Sequence, residues 1–424
     1  MRKVLIEICY SFAMYLLCAV MHIAALFNKK AKQWIKGRKN WRQNLKQQTT
    51  EFQQKSIWVH CSSLGEFEQA RPVIEGLKLK YPNNPIVLSF FSPSGYNIRK
   101  NYAGADLVTY LPCDILGNAD YFVQCINPAL VIFVKYDLWL NYFKTIKSNN
   151  IPLLIISVLQ DQRLSNSFGD TYKKYCFSFA DKIFVQNQDS YNNVKDKIKT
   201  EVVLAGDTRV DSVAKNALIY DEILEKRMSS FIGNANCLLC GSTWPADNDL
   251  LIGLLKDDAF ASWKAIIAPH EMHASEFKKL EAAFGENMFY YSDFENSDIT
   301  RQILIIDSIG FLSKLYRYGT IAYIGGGFGK AIHNTLEPAA FGLPVIFGPN
   351  YQKFTEANTL VNQNAFISIK DKKQLKEAFM YFTKNENRQI ASEKIKQYIQ
   401  KHQGGSEMIL DDIETNWMKT HLNI

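Results

Sequence analysis

TIAYIGGGFGKAIHNTLEPAAFGLPVIFGPNYQKFTE, residues 320 to 356, decides how this chain is read. It opens on an apolar run, Ile321 to Ile324, and breaks into Gly325, Gly326, Gly327 and Gly329. His333 and Asn334 then precede a helix predicted over Thr335–Phe341, which Gly342 stops. A second apolar run, Pro344 to Phe347, ends at Gly348-Pro349. Strand, glycine turn, helix, strand is the grammar of a βαβ unit that holds a ligand at the helix N-terminus. Glycines let the backbone approach the ligand, and free N–H groups with the helix dipole favour an anion there. Glu337, one turn in, is placed to accept hydrogen bonds from sugar hydroxyls. The pattern implies a nucleotide-sugar site.

Outward from this stretch the same grammar repeats. Upstream, Ser56–Cys61 reads as a strand, Ser62-Ser63-Leu64-Gly65 as a turn and Glu66–Lys80 as a helix. Strand-like runs follow at Pro85–Phe91, Leu107–Leu111, Ala129–Val134, Leu153–Ser157, Lys182–Gln186 and Val202–Ala205. A polar helix reaching Met228 bridges to a second series at Cys237–Cys240, Trp263–Ala268 and Ile303–Ile306. Strands alternating with helices imply α/β domains on mostly parallel sheets, with ligands at the carboxyl ends of the strands. At 424 residues, two such domains are expected. The reading assigns residues 1–46 to an anchor helix with a basic flank, 47–217 to one Rossmann-like domain and 218–424 to another.

The net charge of +7 is unevenly placed. Residues 1–50 hold ten Lys/Arg and one acid, leaving 39 bases against 41 acids elsewhere. The globular body is near neutral, which argues against a nucleic-acid groove. From Val4 to Phe27 runs a stretch of 24 residues broken only by Glu7, Ser11 and His22. Roughly 20 apolar residues suffice to span a bilayer. No small-residue cleavage site follows, so a membrane contact, spanning or lying on the surface, is expected rather than a removable signal. The lysines that follow, with Trp34 and Trp41 among them, suit an anionic lipid surface on the cytoplasmic side. The eight cysteines sit mostly in apolar surroundings and read as reduced core residues, Cys237 and Cys240 included.

Several residues could carry chemistry. Glu66 stands at a strand–turn–helix junction, either as a general base for an attacking hydroxyl or only as a helix cap. Ser242-Thr243 resembles a phosphate-gripping turn, though such turns are also common caps. His270 follows Pro269 at a strand end. No G-x-x-x-x-G-K-[ST], H-E-x-x-H or paired Cys/His cluster occurs, so neither a metal nor a resident cofactor is expected.

In this order the motifs become recognisable: Val59-His60-Cys61-Ser62-Ser63-Leu64-Gly65-Glu66, Arg163-Leu164-Ser165, Gln186, Gly206-Asp207-Thr208-Arg209-Val210-Asp211, Ser242-Thr243, Pro269-His270, Asp307-Ser308 and His333-Asn334-Thr335-Leu336-Glu337-Pro338. The set resembles the Kdo (3-deoxy-D-manno-octulosonate) transferases of lipopolysaccharide synthesis. That resemblance implies a GT-B glycosyltransferase, two Rossmann-like domains with a cleft between them. It further implies an N-terminal membrane helix on the cytoplasmic face of the inner membrane. The enzyme would move Kdo from CMP-Kdo to a lipid A precursor (lipid IVA), with inversion. By the same resemblance Glu66 is the base. Ser242, Thr243, His270, Gly325, Gly326, Gly327, Asn334 and Glu337 lie on the CMP side, with Asn334 and Glu337 nearest phosphate and ribose. The chain departs from the family where Pro-Arg-His becomes Pro269-His270-Glu271 and where Glu-x-Glu-x-Trp becomes Lys135-Tyr136-Asp137-Leu138-Trp139. A membrane-bound GT-B transferase using another nucleotide sugar is the alternative, and a GT-B shell without catalysis is the third reading.

Overall fold

Seven short strands in the first half, the central ones buried on both faces, assemble into one parallel sheet. They are β1 (Ser56–Cys61), β2 (Ile86–Phe90), β3 (Leu107–Tyr110), β4 (Pro128–Val134), β5 (Leu153–Val158), β6 (Lys182–Val185) and β7 (Glu201–Leu204). Their order is β3-β2-β1-β4-β5-β6-β7. The computed structural model describes residues 2–308 and 310–418 of the 424. Residue 1 and residues 419–424, the outer ends of the expected first and last segments, lie outside the described residues.

The pleat of this sheet divides the core in two. Ile57, Val59 and Cys61 of β1 pack with Phe67, Ala70, Val73, Ile74 and Leu77 of helix α4 (Leu64–Lys80). Trp58 on the opposite face meets Phe122, Phe133 and Tyr142 at centroid distances of 5.1, 5.2 and 5.6 Å. Strands buried on both faces read as continuous apolar runs, which is why PALVIFV and LLIISV were legible.

The second sheet repeats the plan with β8 (Asn236–Thr243), β9 (Trp263–Pro269), β10 (Met288–Tyr290), β11 (Ile303–Ile305), β12 (Ile321–Ile324), β13 (Val345–Phe347) and β14 (Phe366–Ser368). Its order is β10-β11-β9-β8-β12-β13-β14, and all its pairs are parallel. The edge strands β10 and β14 were not anticipated. Cys237 and Cys240 are fully buried in β8. Burial raises both thiols, Cys237 to about 12, as expected of core residues rather than redox partners.

Contacts divide the chain into two units, Met1–Ser212 with Gln403–Ile424, and Val213–His402. The expected boundary between residues 217 and 218 put the whole C-terminus in the second half; the tail belongs instead to the first. Ile409 and Ile413 of helix Gly405–Ile413 enter the α4 side of the first core. Asp211 accepts the N–H groups of Gly404 and Ser406 at 2.7 and 2.6 Å, and Lys182 bonds Asp412 at 2.5 Å. The Gly206–Asp211 motif thus anchors the tail.

Three helices precede β1: α1 (Arg2–Ala24), α2 (Lys29–Gly37) and α3 (Trp41–Thr49). Ile6 and Met14 of α1 and Ala31 and Trp34 of α2 are buried in the first unit. Cys18 and Cys113, read from sequence as reduced like the other cysteines, are instead joined in a disulfide, with Cα atoms 7.1 Å apart.

Candidate active site

In both sheets the chain winds outward one way from a central strand and then the other, leaving a switch point where adjacent loops diverge. Those points lie between β1 and β4 and between β8 and β12. Ligands of open parallel sheets bind outside the carboxyl ends of such strands. The loops concerned carry Glu66 and Asp137 in the first unit, and Ser242 and Gly325–Glu337 in the second.

At the first switch point β1 turns into α4 through Ser62-Ser63. Glu66 is the third residue of α4, and its Oε2 accepts the Ser63 N–H at 2.9 Å. The capping role is therefore real. It does not exclude catalysis, because the same carboxyl is raised to about 7. Burial is the largest cause and the negative charge of Asp137 the second; the Ser63 N–H, Lys135 and the Ser62 N–H oppose them. A carboxylate near neutrality is a competent general base.

Asp137 is held from behind. His60, fully buried on β1, sets Nε2 2.8 Å from Asp137 Oδ2 and Nδ1 2.8 Å from Ser89 Oγ. An ionised carboxylate only accepts, so His60 donates from Nε2. Trp58 Nε1 donates to the same Ser89 Oγ at 2.8 Å, and Trp139 Nε1 lies 3.2 Å from His60 Nε2. Sequence reasoning treated Lys135–Trp139 as a mere departure from a family pattern. The signal that could have found Asp137 was its place after β4, the strand beside β1. Asp137→Asn removes a negative charge that raises Glu66, so the Glu66 pKa should fall. The acid limb of the rate–pH profile is then expected to move to lower pH, toward the ordinary carboxylate range, as measured by initial rates between pH 5 and 8.

At the second switch point β8 bends at Ser242, whose φ is +52°. Asp247, which sequence reasoning saw only as a helix residue, ties this bend to the glycine turn. Its buried carboxylate accepts Trp244 N–H at 2.9 Å, Gly326 N–H at 2.9 Å and Tyr323 Oη–H at 2.7 Å. Gly325, Gly326 and Gly327 are explained by this packing. A Cβ on Gly325 would lie 2.2 Å from Ser242 O, and one on Gly327 2.7 Å from Gly348 Cα. Gly326 has a φ of +90°, which favours glycine outright.

In front of the turn opens a cavity of about 330 Å³, bounded by Ser242, His270, Ser313, His333, Asn334 and Glu337. Thr243 is buried behind it, as are the three glycines. The helix expected over Thr335–Phe341 is a single turn, Leu336–Ala339, so its dipole is small. Side chains on this wall carry N–H and O–H groups. Trp244 stacks on His270 at 4.7 Å, and its Nε1 donates to His333 Nε2 at 2.8 Å. Burial, then the neighbouring His270, push His333 down to about 4, and burial lowers His270 as well. A neutral His333 that accepts at Nε2 carries its proton on Nδ1, which makes that nitrogen a donor. Asn334 Nδ2 donates to Glu337 Oε1 at 3.1 Å, orienting the acid. Asp307, expected on the ligand side, accepts Ser292 N–H at 3.0 Å and fixes that loop.

The comparisons agree with this architecture. Residues 39–212 match the family model of the 3-deoxy-D-manno-octulosonic-acid transferases (kdotransferases). The 3-deoxy-D-manno-octulosonic acid transferase of Aquifex aeolicus is 27% identical over 328 residues, 76% of this chain and 84% of that one. A bifunctional glycosyltransferase/methyltransferase of Fusobacterium nucleatum is 27% identical over 319 residues, 71% of this chain. The chain spans about half (48%) of that relative's length. Among solved structures, UDP-GlcNAc 2-epimerase of Neisseria meningitidis bound to UDP-GlcNAc superposes with a TM-score of 0.58 at 14% identity, covering 85% of this chain and 100% of that one. That likeness shows the GT-B fold. With paired Rossmann-like units and most of its length aligned to these enzymes, the chain is similar to the 3-deoxy-D-manno-octulosonic acid transferases, whose family model its residues 39–212 match.

Proposed function

We propose that this glycosyltransferase moves one Kdo unit at a time from CMP-Kdo to a lipid A precursor, with inversion, at the cytoplasmic face of the inner membrane. Glu66 takes the proton of the acceptor hydroxyl as its oxygen bonds to the anomeric carbon from the side opposite CMP. The bond to CMP breaks with its electron pair on the phosphate oxygen. In the second unit Ser242, His270, His333 and Asn334 would hold that phosphate, and Glu337 the ribose. Thr243 and Gly325–Gly327 would shape the turn behind it.

The observation that carries this reading is the donor set of the cavity. Its described lining contains no Lys or Arg but several neutral N–H and O–H groups. Such a set suits the single phosphate of a CMP-sugar better than a diphosphate, whose larger charge calls for cations. Incubation with CMP-Kdo and lipid IVA should add the mass of Kdo to the acceptor. Turnover of a UDP-sugar with none of CMP-Kdo would replace this reading by the alternative. Glu337→Ala is expected to weaken CMP binding about 10–100-fold, the scale of a hydrogen bond to a charged group. Calorimetric titration with CMP checks it, and an unchanged affinity would remove Glu337 from the ribose.

A further inference from the structure

The apolar N-terminal helix has two different apolar sides. One side is pressed on the first unit: Ile6 and Met14 are 3% and 5% exposed. Along the same side Glu7 bonds Lys144 Nζ and Tyr175 Oη at 2.8 and 2.5 Å. Tyr10 Oη donates to Asp114 at 2.5 Å and its ring stacks on Tyr172, and Cys18 closes the seam against Cys113. Asp114 is itself fully buried and also accepts the N–H groups of Asn141 and Tyr142. The partners come from three separate segments of the unit, so the seam is part of its fold.

The other side is bare. Val4, Leu5, Ile8, Phe12, Leu16 and Val20 are 49–69% exposed. Beyond the helix Leu26 and Phe27 are 76% and 87% exposed, and the exposed Lys29, Lys30, Lys32, Lys36 and Lys39 follow at once. Buried Trp34, under the Arg38 guanidinium at 3.9 Å, fixes α2 to the unit. At this face a cavity of about 520 Å³ opens, with Lys32, Lys36 and Lys39 on its rim.

We infer that α1 lies in the plane of an anionic phospholipid surface, its inner side docked on the first unit and its outer side in the lipid, and does not span the bilayer. This rests on the proposed membrane location and decides its form. A spanning helix is surrounded by hydrocarbon over about 30 Å. To reach that state α1 would have to leave the seam, carrying Glu7 into lipid without Lys144 and leaving the buried Asp114 without Tyr10. Lying flat, it keeps every one of these contacts. Its outer residues enter the acyl boundary while the lysines meet lipid phosphates.

Sidedness tests the inference on the full chain. In a Cys9→Ser background, Lys3→Cys and Lys39→Cys are probed with a membrane-impermeant maleimide on intact spheroplasts and on opened membranes. Both should react only after opening. Lys3→Cys reacting on intact spheroplasts, with Lys39→Cys protected, overturns the flat helix while leaving the membrane location standing. Sedimentation of purified protein with phosphatidylglycerol-containing vesicles tests the surface itself. Replacing Lys29, Lys30 and Lys32 by Gln should reduce partitioning about 100-fold. Phe12→Asp, on the bare side, should reduce it without lowering the melting temperature. Wild-type protein that ignores such vesicles and is found as a soluble dimer overturns both the flat helix and the membrane reading.

Discussion

Glu66→Gln is expected to lower transfer by about 10²–10⁴-fold, the usual worth of a positioned general base, while CMP affinity stays unchanged. Glutamine keeps the shape and one acceptor for the Ser63 N–H, so the start of α4 survives. What it loses is the ability to take a proton. A second consequence separates this from simple damage. The wild-type carboxyl is raised from 4.5 to about 7, so the folded protein holds this proton more tightly than the unfolded chain. Folded stability therefore falls as pH rises from 4.5 through about 7, and the cost is fully present above that range. Removing the charge should raise the stability of the first unit at pH 8 by on the order of 1–3 kcal/mol, discounted for the group's partial exposure. At pH 4.5 it should change little. Denaturant melts at the two pH values check the stability, and single-turnover transfer checks the rate. A variant that is inactive yet more stable at pH 8 fits a base kept in an unfavourable site for its chemistry. A near-normal rate would remove Glu66 as the base.

Much of this was legible because parallel strands covered on both sides are nearly uninterrupted apolar runs. Ser56–Cys61, Pro128–Val134, Leu153–Val158 and Ile321–Ile324 announce themselves in that way. The three-residue edge strands Met288–Tyr290 and Phe366–Ser368 do not, since an edge strand needs only one neighbour and little apolar length. The helix at Thr335–Phe341 was overextended because Pro338 and the turn to Gly342 limit it to one turn. Glu66 could be nominated from its own neighbours. Asp137 and His60 could not, because their relation is made by the β1–β4 pairing rather than by spacing along the chain. Trp244 escaped for the same reason: its value lies in the hydrogen bond it donates to His333, far away in sequence. The C-terminal helix was misplaced because amphipathic periodicity shows that a face is buried, not against which unit.

Gly325→Ala is expected to destabilise the second unit by about 3 kcal/mol or more, even with no ligand present. The new Cβ would lie 2.2 Å from Ser242 O, 2.6 Å from Thr243 Cα and 2.8 Å from Asp247 Oδ2. Two of these atoms are backbone. The third belongs to a carboxylate pinned by the Trp244 and Gly326 N–H groups and by Tyr323, so it cannot swing away. Gly253→Ala, in the helix Pro245–Leu255 of the same unit, supplies the control. Its Cβ would meet nothing nearer than 3.6 Å, and helix propensity should make it stabilising by about 1 kcal/mol. Thermal melts without CMP should therefore shift in opposite directions, Gly325→Ala downward by on the order of 10 °C. If instead Gly325→Ala melts normally and loses only CMP affinity, the glycine exists for approach to the phosphate, as the sequence pattern first suggested. A lowered melt without ligand means that the glycine run serves first to press the β12 turn against the β8 bend. The proposed phosphate contacts then rest on the side chains in front of that turn, Ser242, His270, His333 and Asn334, and CMP titration of their alanine variants checks them.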